Sequence, residues 1–159
     1  IGLEMVIFHL FEIVGAMYVG PALDANPHRR RHAAVQCLVL FLVINSTGNA
    51  LAWYQESLDQ VVTADITDSR SLVPSLALAC WGFADSQIQV YIYWLLGQLY
   101  NTSGDHSRAV GFFKCVQSLG YSAGFYLTPL SRLPAMWQLA VSSMVYCLGT
   151  LLAFWQLPQ

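Results

Sequence analysis

An all-α bundle of membrane-spanning helices is the fold class this sequence predicts, and three observations carry the prediction. Hydrophobic residues make up 56% of the 159 positions and charged residues 10%, whereas soluble domains run near ~45–50% and ~25%. The mean hydropathy is +0.50. The few charges are also segregated: none falls between Arg31 and Glu56, between Asp85 and Asp105, between Lys114 and Arg132, or after Arg132. Each window is close to the ~20 apolar residues that cross a hydrocarbon core. Finally, these windows show no period-two alternation, and strands in lipid would have to close a barrel to satisfy their backbone. The chain is therefore expected to be an integral, multi-pass membrane protein whose first partner is the lipid bilayer.

The same composition excludes other classes. So few charges cannot cover a water-facing surface, and a net charge of −2 offers no phosphate-tracking face for nucleic acid. No nucleophile–base pair, zinc-binding HExxH pattern, phosphate-cradling glycine loop or carboxylate dyad occurs, so no catalytic residue, enzyme activity or cofactor is expected. The four cysteines (Cys37, Cys80, Cys115 and Cys147) fall in separate apolar segments. They read as small buried side chains rather than metal ligands, and no metal site is expected.

Five helices are predicted in order. The first covers residues 2–18, with Pro21 and Pro27 after it. The chain opens on Ile1 inside this apolar stretch, without the charged region of a signal peptide, and reads as a piece of a longer protein. The second helix covers 33–53, after a loop at 19–32. The third covers 72–99, beyond a loop at 54–71, with Pro74 in its first turn where a missing N–H costs nothing. The fourth covers 109–127, entered from the Asn101–Asp105 turn, with Asp105 or Ser107 placed to cap it. The fifth covers 136–157, past Pro129 and Pro134.

Orientation follows from the distribution of basic residues. Arg29, Arg30, Arg31, Arg108 and Lys114 lie on one side, and Arg70 and Arg132 lie on the other. The 19–32 loop is accordingly expected in the cytoplasm and the 54–71 loop outside it. Lys114 would reach the cytoplasmic surface by snorkelling along its stem. The sequon Asn101-Thr102-Ser103 would then also be cytoplasmic and carry no glycan.

Polar residues inside the apolar windows mark the candidate site. Asp85 sits mid-helix, where a carboxylate facing lipid costs ~2.5–3.5 kcal/mol or more. Gln89 lies one turn on and extends the polar stripe. The pair either lines a solute or ion path or clamps two helices together. Glu12 on the first helix and Gln117 on the fourth are further candidates to line a cavity or couple to an ion; His9 lies near Glu12, and Glu4, two turns before it, either pairs with Glu12 along the cavity or lies near the headgroups. Asn45 and Asn49, with Gly48 between them, suggest interhelical hydrogen bonding. Gly120 and Gly124 form the GxxxG pattern that lets two backbones approach.

Two stretches resemble the uncoordinated-93-like (ion channel regulatory protein) branch of the major facilitator superfamily. One is Trp81-Gly82-Phe83-Ala84-Asp85 with Gln89 and Leu96-Gly97, similar to that branch's tenth helix. The other is Phe112-Phe113-Lys114, then Gln117-Ser118-Leu119-Gly120-Tyr121 and Phe125, similar to its eleventh, with Val116 where the branch often has an aromatic residue. Gly20, Asp24 and Arg29–Arg31 resemble the superfamily's cytoplasmic loop motif in degenerate form, with Ala25 and Pro27 departing from it. The resemblance implies that these are the eighth to twelfth helices of a twelve-helix protein, most of its C-terminal half, with any cavity near the bilayer midplane. It also implies the N-terminal half of the parent protein as a partner. Solute or ion transport is the function expected; the alternative is a non-transporting subunit that regulates or escorts an ion channel or another membrane protein.

Overall fold

The structure, a computed structural model, describes residues 2–24, 30–58, 69–129 and 132–157. It consists of α1 (Gly2–Asp24), α2 (Arg30–Ser57), α3 (Leu72–Leu99), α4 (Ser103–Leu127) and α5 (Ala135–Trp155), with one 3-10 turn at Ser69–Ser71 before α3. No strand occurs among the described residues. The all-α expectation holds. Large apolar side chains cover the outside: Met17 is 72% exposed, Phe125 79% and Trp155 85%. In water that surface would be untenable for a single chain; in hydrocarbon it is the favourable one.

By length and composition, α1, α2 and α5 suffice to cross a membrane. The helices α3 and α4 have the length, at 28 and 25 residues. Their apolar character is diluted by Asp85, Gln87 and Gln89 on one and by Lys114, Gln117 and Ser118 on the other.

The third helix is the axis of the bundle. It runs parallel to α1, with Phe8 beside Gly82 and Gly15 beside Ser86, and antiparallel to α2, with Gly48 beside Trp81 and Arg30 reaching Gln98; α5 packs on α2. Glycine sets the α1–α3 spacing. A Cβ on Gly82 would run into the backbone carbonyl of Phe8, and a Cβ on Gly15 would stand 2.7 Å from the carbonyl oxygen of Phe83. Both glycines are therefore required by backbone proximity. At the end of the bundle where α2 begins, Val19, Leu23, Ala34, Cys37, Leu38, Tyr91, Leu95 and Leu157 form the main buried cluster. Val19 and Leu23 explain why α1 continues past Tyr18 and through Pro21: their burial against α2 and α3 outweighs a proline near the helix end, where few carbonyls lose a partner. Much of the expected 19–32 loop is thus helical, since Arg30, Arg31 and His32 form the first turn of α2.

Helix α4 meets chiefly α3, and none of its residues is buried. Its N-cap is Thr102 rather than Asp105 or Ser107. The Thr102 hydroxyl oxygen accepts from the Asp105 backbone N–H at 3.2 Å while its own hydrogen goes to the Asp105 carboxylate at 2.6 Å. Two residues of the turn thereby satisfy each other, and the acid sits favourably on the positive end of the helix. At the other end, Arg132 covers the Tyr126 ring at 4.1 Å and donates to the Tyr126 carbonyl at 2.6 Å. Gln138 donates to the carbonyls of Thr128 and Leu133. These bonds fix the turn into α5.

Candidate functional site

Asp85 is the fourteenth of the 28 residues of α3. One turn on, the Gln89 side-chain amide donates to its carboxylate at 2.7 Å. The Gln89 oxygen in turn accepts from the Lys114 ammonium at 3.2 Å, across to α4. The same ammonium donates to the Gln117 oxygen at 2.8 Å, and the Gln117 amide reaches the Tyr121 hydroxyl at 3.4 Å. Residues 114, 117 and 121 are spaced by three and four, so α4 presents them along one face. From α1, Glu12 stands within electrostatic reach of Asp85. His9 Nδ1 lies 2.6 Å from Glu12 Oε2. From α5, Tyr146 stands within electrostatic reach of Asp85 and Tyr121.

The cluster thus joins groups that would each be costly in lipid alone. The Lys114 ammonium supplies the opposite charge nearby, and its desolvation is offset by two amide oxygens. It also lies 5.4 Å from the centre of the Tyr93 ring and 5.6 Å from that of Phe113, and the two rings meet edge to face at 5.8 Å. Such cation–π contacts contribute ~0.5–1 kcal/mol when exposed and ~2 or more when desolvated.

Of the residues expected at a cavity, Glu12, Asp85, Gln89 and Gln117 are brought together. Lys114 joins them instead of snorkelling: it is the twelfth of the 25 residues of α4 and its ammonium is held at that depth. The sequence reading missed Lys114, Tyr121 and Tyr146 as members. The only signal for the first two was the spacing that places Lys114 and Tyr121 on the face of Gln117.

The packing residues divide differently. Asn49 ties three helices: its oxygen accepts from the Trp81 indole N–H at 2.8 Å and its amide donates to Ser143 at 2.9 Å. Asn45 is buried one turn earlier on α2. Gly48, between them, holds α3 close, since a Cβ there would stand 3.0 Å from the Cys80 Cβ and the Trp81 ring. Gly120 and Gly124, by contrast, face open space with nothing of this chain within 4 Å of an added Cβ. Among the described residues, no helix packs on that GxxxG.

The residues of the loop motif are spread over helix ends. Gly20 and Asp24 lie in the last turns of α1, with open space around Gly20. Arg30 donates to the Gln98 side chain at 3.0 Å and fastens the start of α2 to the end of α3. Arg31 is exposed, and Arg29 lies outside the described residues.

Two relatives from Arabidopsis thaliana are similar to this chain: UNC93-like protein 1 and UNC93-like protein 2. Each is 26% identical over 148 residues, an alignment covering 89% of this chain and 32% of the relative. The chain therefore spans about a third of the length of the curated relatives it matches. No family model matches, and no solved structure matches. The Trp81–Asp85 and Lys114–Tyr121 stretches that suggested the resemblance lie on α3 and α4, which carry most of the polar cluster. This chain is an integral, multi-pass membrane protein similar to UNC93-like proteins over most of its length.

Proposed function

We propose that this chain forms most of the C-terminal half of a twelve-helix transporter of solutes or ions, its helices being the eighth to the twelfth. Arg30 and Arg31, at the start of α2, face the cytoplasm, and the far end of α2 faces outside. Glu12, Asp85, Gln89, Lys114 and Gln117 line one wall of a cavity near the bilayer midplane; the N-terminal half of the whole protein supplies the other. The observation that carries this reading is the hydrogen-bonded chain Asp85–Gln89–Lys114–Gln117 at mid-helix depth. A clamp between two helices needs no ionisable pair. Moreover, α4 buries no residue against α3, so the cluster has an open side. The reading is tested by gradient-driven uptake into proteoliposomes containing the whole protein, with Asp85→Asn in parallel. Flux that falls to the level of empty liposomes in a folded Asp85→Asn variant supports it; flux equal to wild type removes Asp85 from the path.

The open glycine face favours a second reading, a subunit that binds a transmembrane helix of another membrane protein such as an ion channel. Small residues at a spacing of four, with none of the described residues against them, suit close approach by a helix from elsewhere. Under this reading Gly124→Leu strips a co-purifying membrane protein from the complex, and an unchanged complex counts against it.

A further inference from the structure

The Lys114 ammonium occupies a cage rather than an ion pair. Its two hydrogen-bond acceptors are neutral amide oxygens, Gln89 at 3.2 Å and Gln117 at 2.8 Å, and two aromatic rings, Tyr93 and Phe113, lie at 5.4 and 5.6 Å. The carboxyl groups of Asp85 and Glu12 stand behind Gln89 and supply the field, not the contact. Each part of the cage selects for a compact ammonium. Amide oxygens accept its N–H bonds, and aromatic faces attract its charge. A bare potassium ion would need a fuller ring of oxygens to replace its water, and among the described residues two amide oxygens are directed at the position. The lysine side chain is also exposed along α4, so its flexible four-carbon stem can withdraw and the cage has a way in.

We propose that Lys114 is a tethered occupant of a binding site for the primary ammonium group of a small organic solute. An arriving ammonium replaces that of Lys114 on Gln89 and Gln117 and between the two rings. The cage is never left empty, and the charge beside Asp85 and Glu12 is the same before and after. This site deepens the transport reading and rests on it for its purpose, yet its occupancy can be measured without transport.

The test is thermal unfolding of the whole protein in detergent, with ethylammonium chloride as probe and potassium chloride at equal ionic strength as control. Lys114→Ala vacates the cage. Ethylammonium is expected to raise the unfolding midpoint of this variant saturably, to raise wild type far less, and to have no saturable effect on Lys114→Ala/Gln117→Leu. If Lys114→Ala fails to fold, Lys114→Ser serves, and recovery of folded protein only with ethylammonium in the buffer supports the site. The proposal is overturned by any of three results. The midpoint of a folded Lys114→Ala variant does not respond; potassium produces the same rise; or neither variant folds with ethylammonium present. Saturable binding without flux in any gradient would refute transport and leave the site standing. Flux in wild type with no response in the vacated cage would refute the site alone.

Discussion

Glycines of equal helix propensity have opposite consequences here, and what faces them decides which. At Gly82 an added methyl group would meet the Phe8 carbonyl, and at Gly15 it would meet Ser86 and Phe83. Separating α1 from α3 to make room forfeits packing along the crossing, so Gly82→Ala should cost ~1–3 kcal/mol. At Gly124 nothing stands within 4 Å, and Gly124→Ala should instead gain up to ~1 kcal/mol from helix propensity. Reversible unfolding of the purified chain in mixed micelles checks both signs. Equal effects at the two positions would mean that the α1–α3 approach is looser than described. Tyr91 offers a complementary case. It is 1% exposed, and its hydroxyl has no hydrogen-bond partner among the described residues. Because an unsatisfied buried polar atom costs ~1–3 kcal/mol, Tyr91→Phe should raise the unfolding midpoint in the same assay.

Among single residues, legibility in the sequence followed cost. Asp85, Glu12, Gln89 and Gln117 stand out because each is a polar group in an apolar window, and lipid makes that expensive enough to demand a partner. Lys114 did not stand out, because a long cationic side chain can escape to the headgroups, and only the fold shows that it stays. Gly120 and Gly124 attracted a packing role through their spacing of four. The glycines that do bring helices together within this chain, Gly15, Gly48 and Gly82, sit one to a helix at the crossings and form no pattern that a sequence can display.

At the scale of elements, the apolar windows fixed the existence of the helices while their ends escaped. Val19 and Leu23 carry α1 beyond Gly20 and Pro21, and Thr102 starts α4 six residues before the apolar run at Ala109. Both ends depend on contacts: burial against neighbouring helices in the first case, a reciprocal side-chain cap in the second. The cap gives a local prediction. Thr102→Ala removes the acceptor of the Asp105 N–H and should cost ~0.5–2 kcal/mol. Hydrogen exchange should show faster amides confined to the first turn of α4, and unaltered exchange there would show that the cap is dispensable.

For the whole molecule, the five helices form two tiers. The first three, with α5 on α2, make a consolidated bundle through Gly15, Gly82 and the Asn49 node linking Trp81 and Ser143. Helix α4 stands at its margin, held by the Lys114 cluster and the Tyr93–Phe113 contact. A helix attached mainly through a polar cluster is the element whose position an occupant of that cluster can alter. The distribution of basic residues gives a topological prediction. Asn101 should lie on the cytoplasmic side and carry no glycan, which a mobility shift after deglycosylation would contradict. The proposed role of the Asp85–Gln89–Lys114–Gln117 cluster is to line a transport path. Its most direct test is gradient-driven uptake by proteoliposomes of the whole protein, comparing wild type with an Asp85→Asn variant shown to be folded. The account predicts flux in the wild type and none above empty liposomes in the variant; equal flux in both, or none in folded wild type under any gradient, would contradict it.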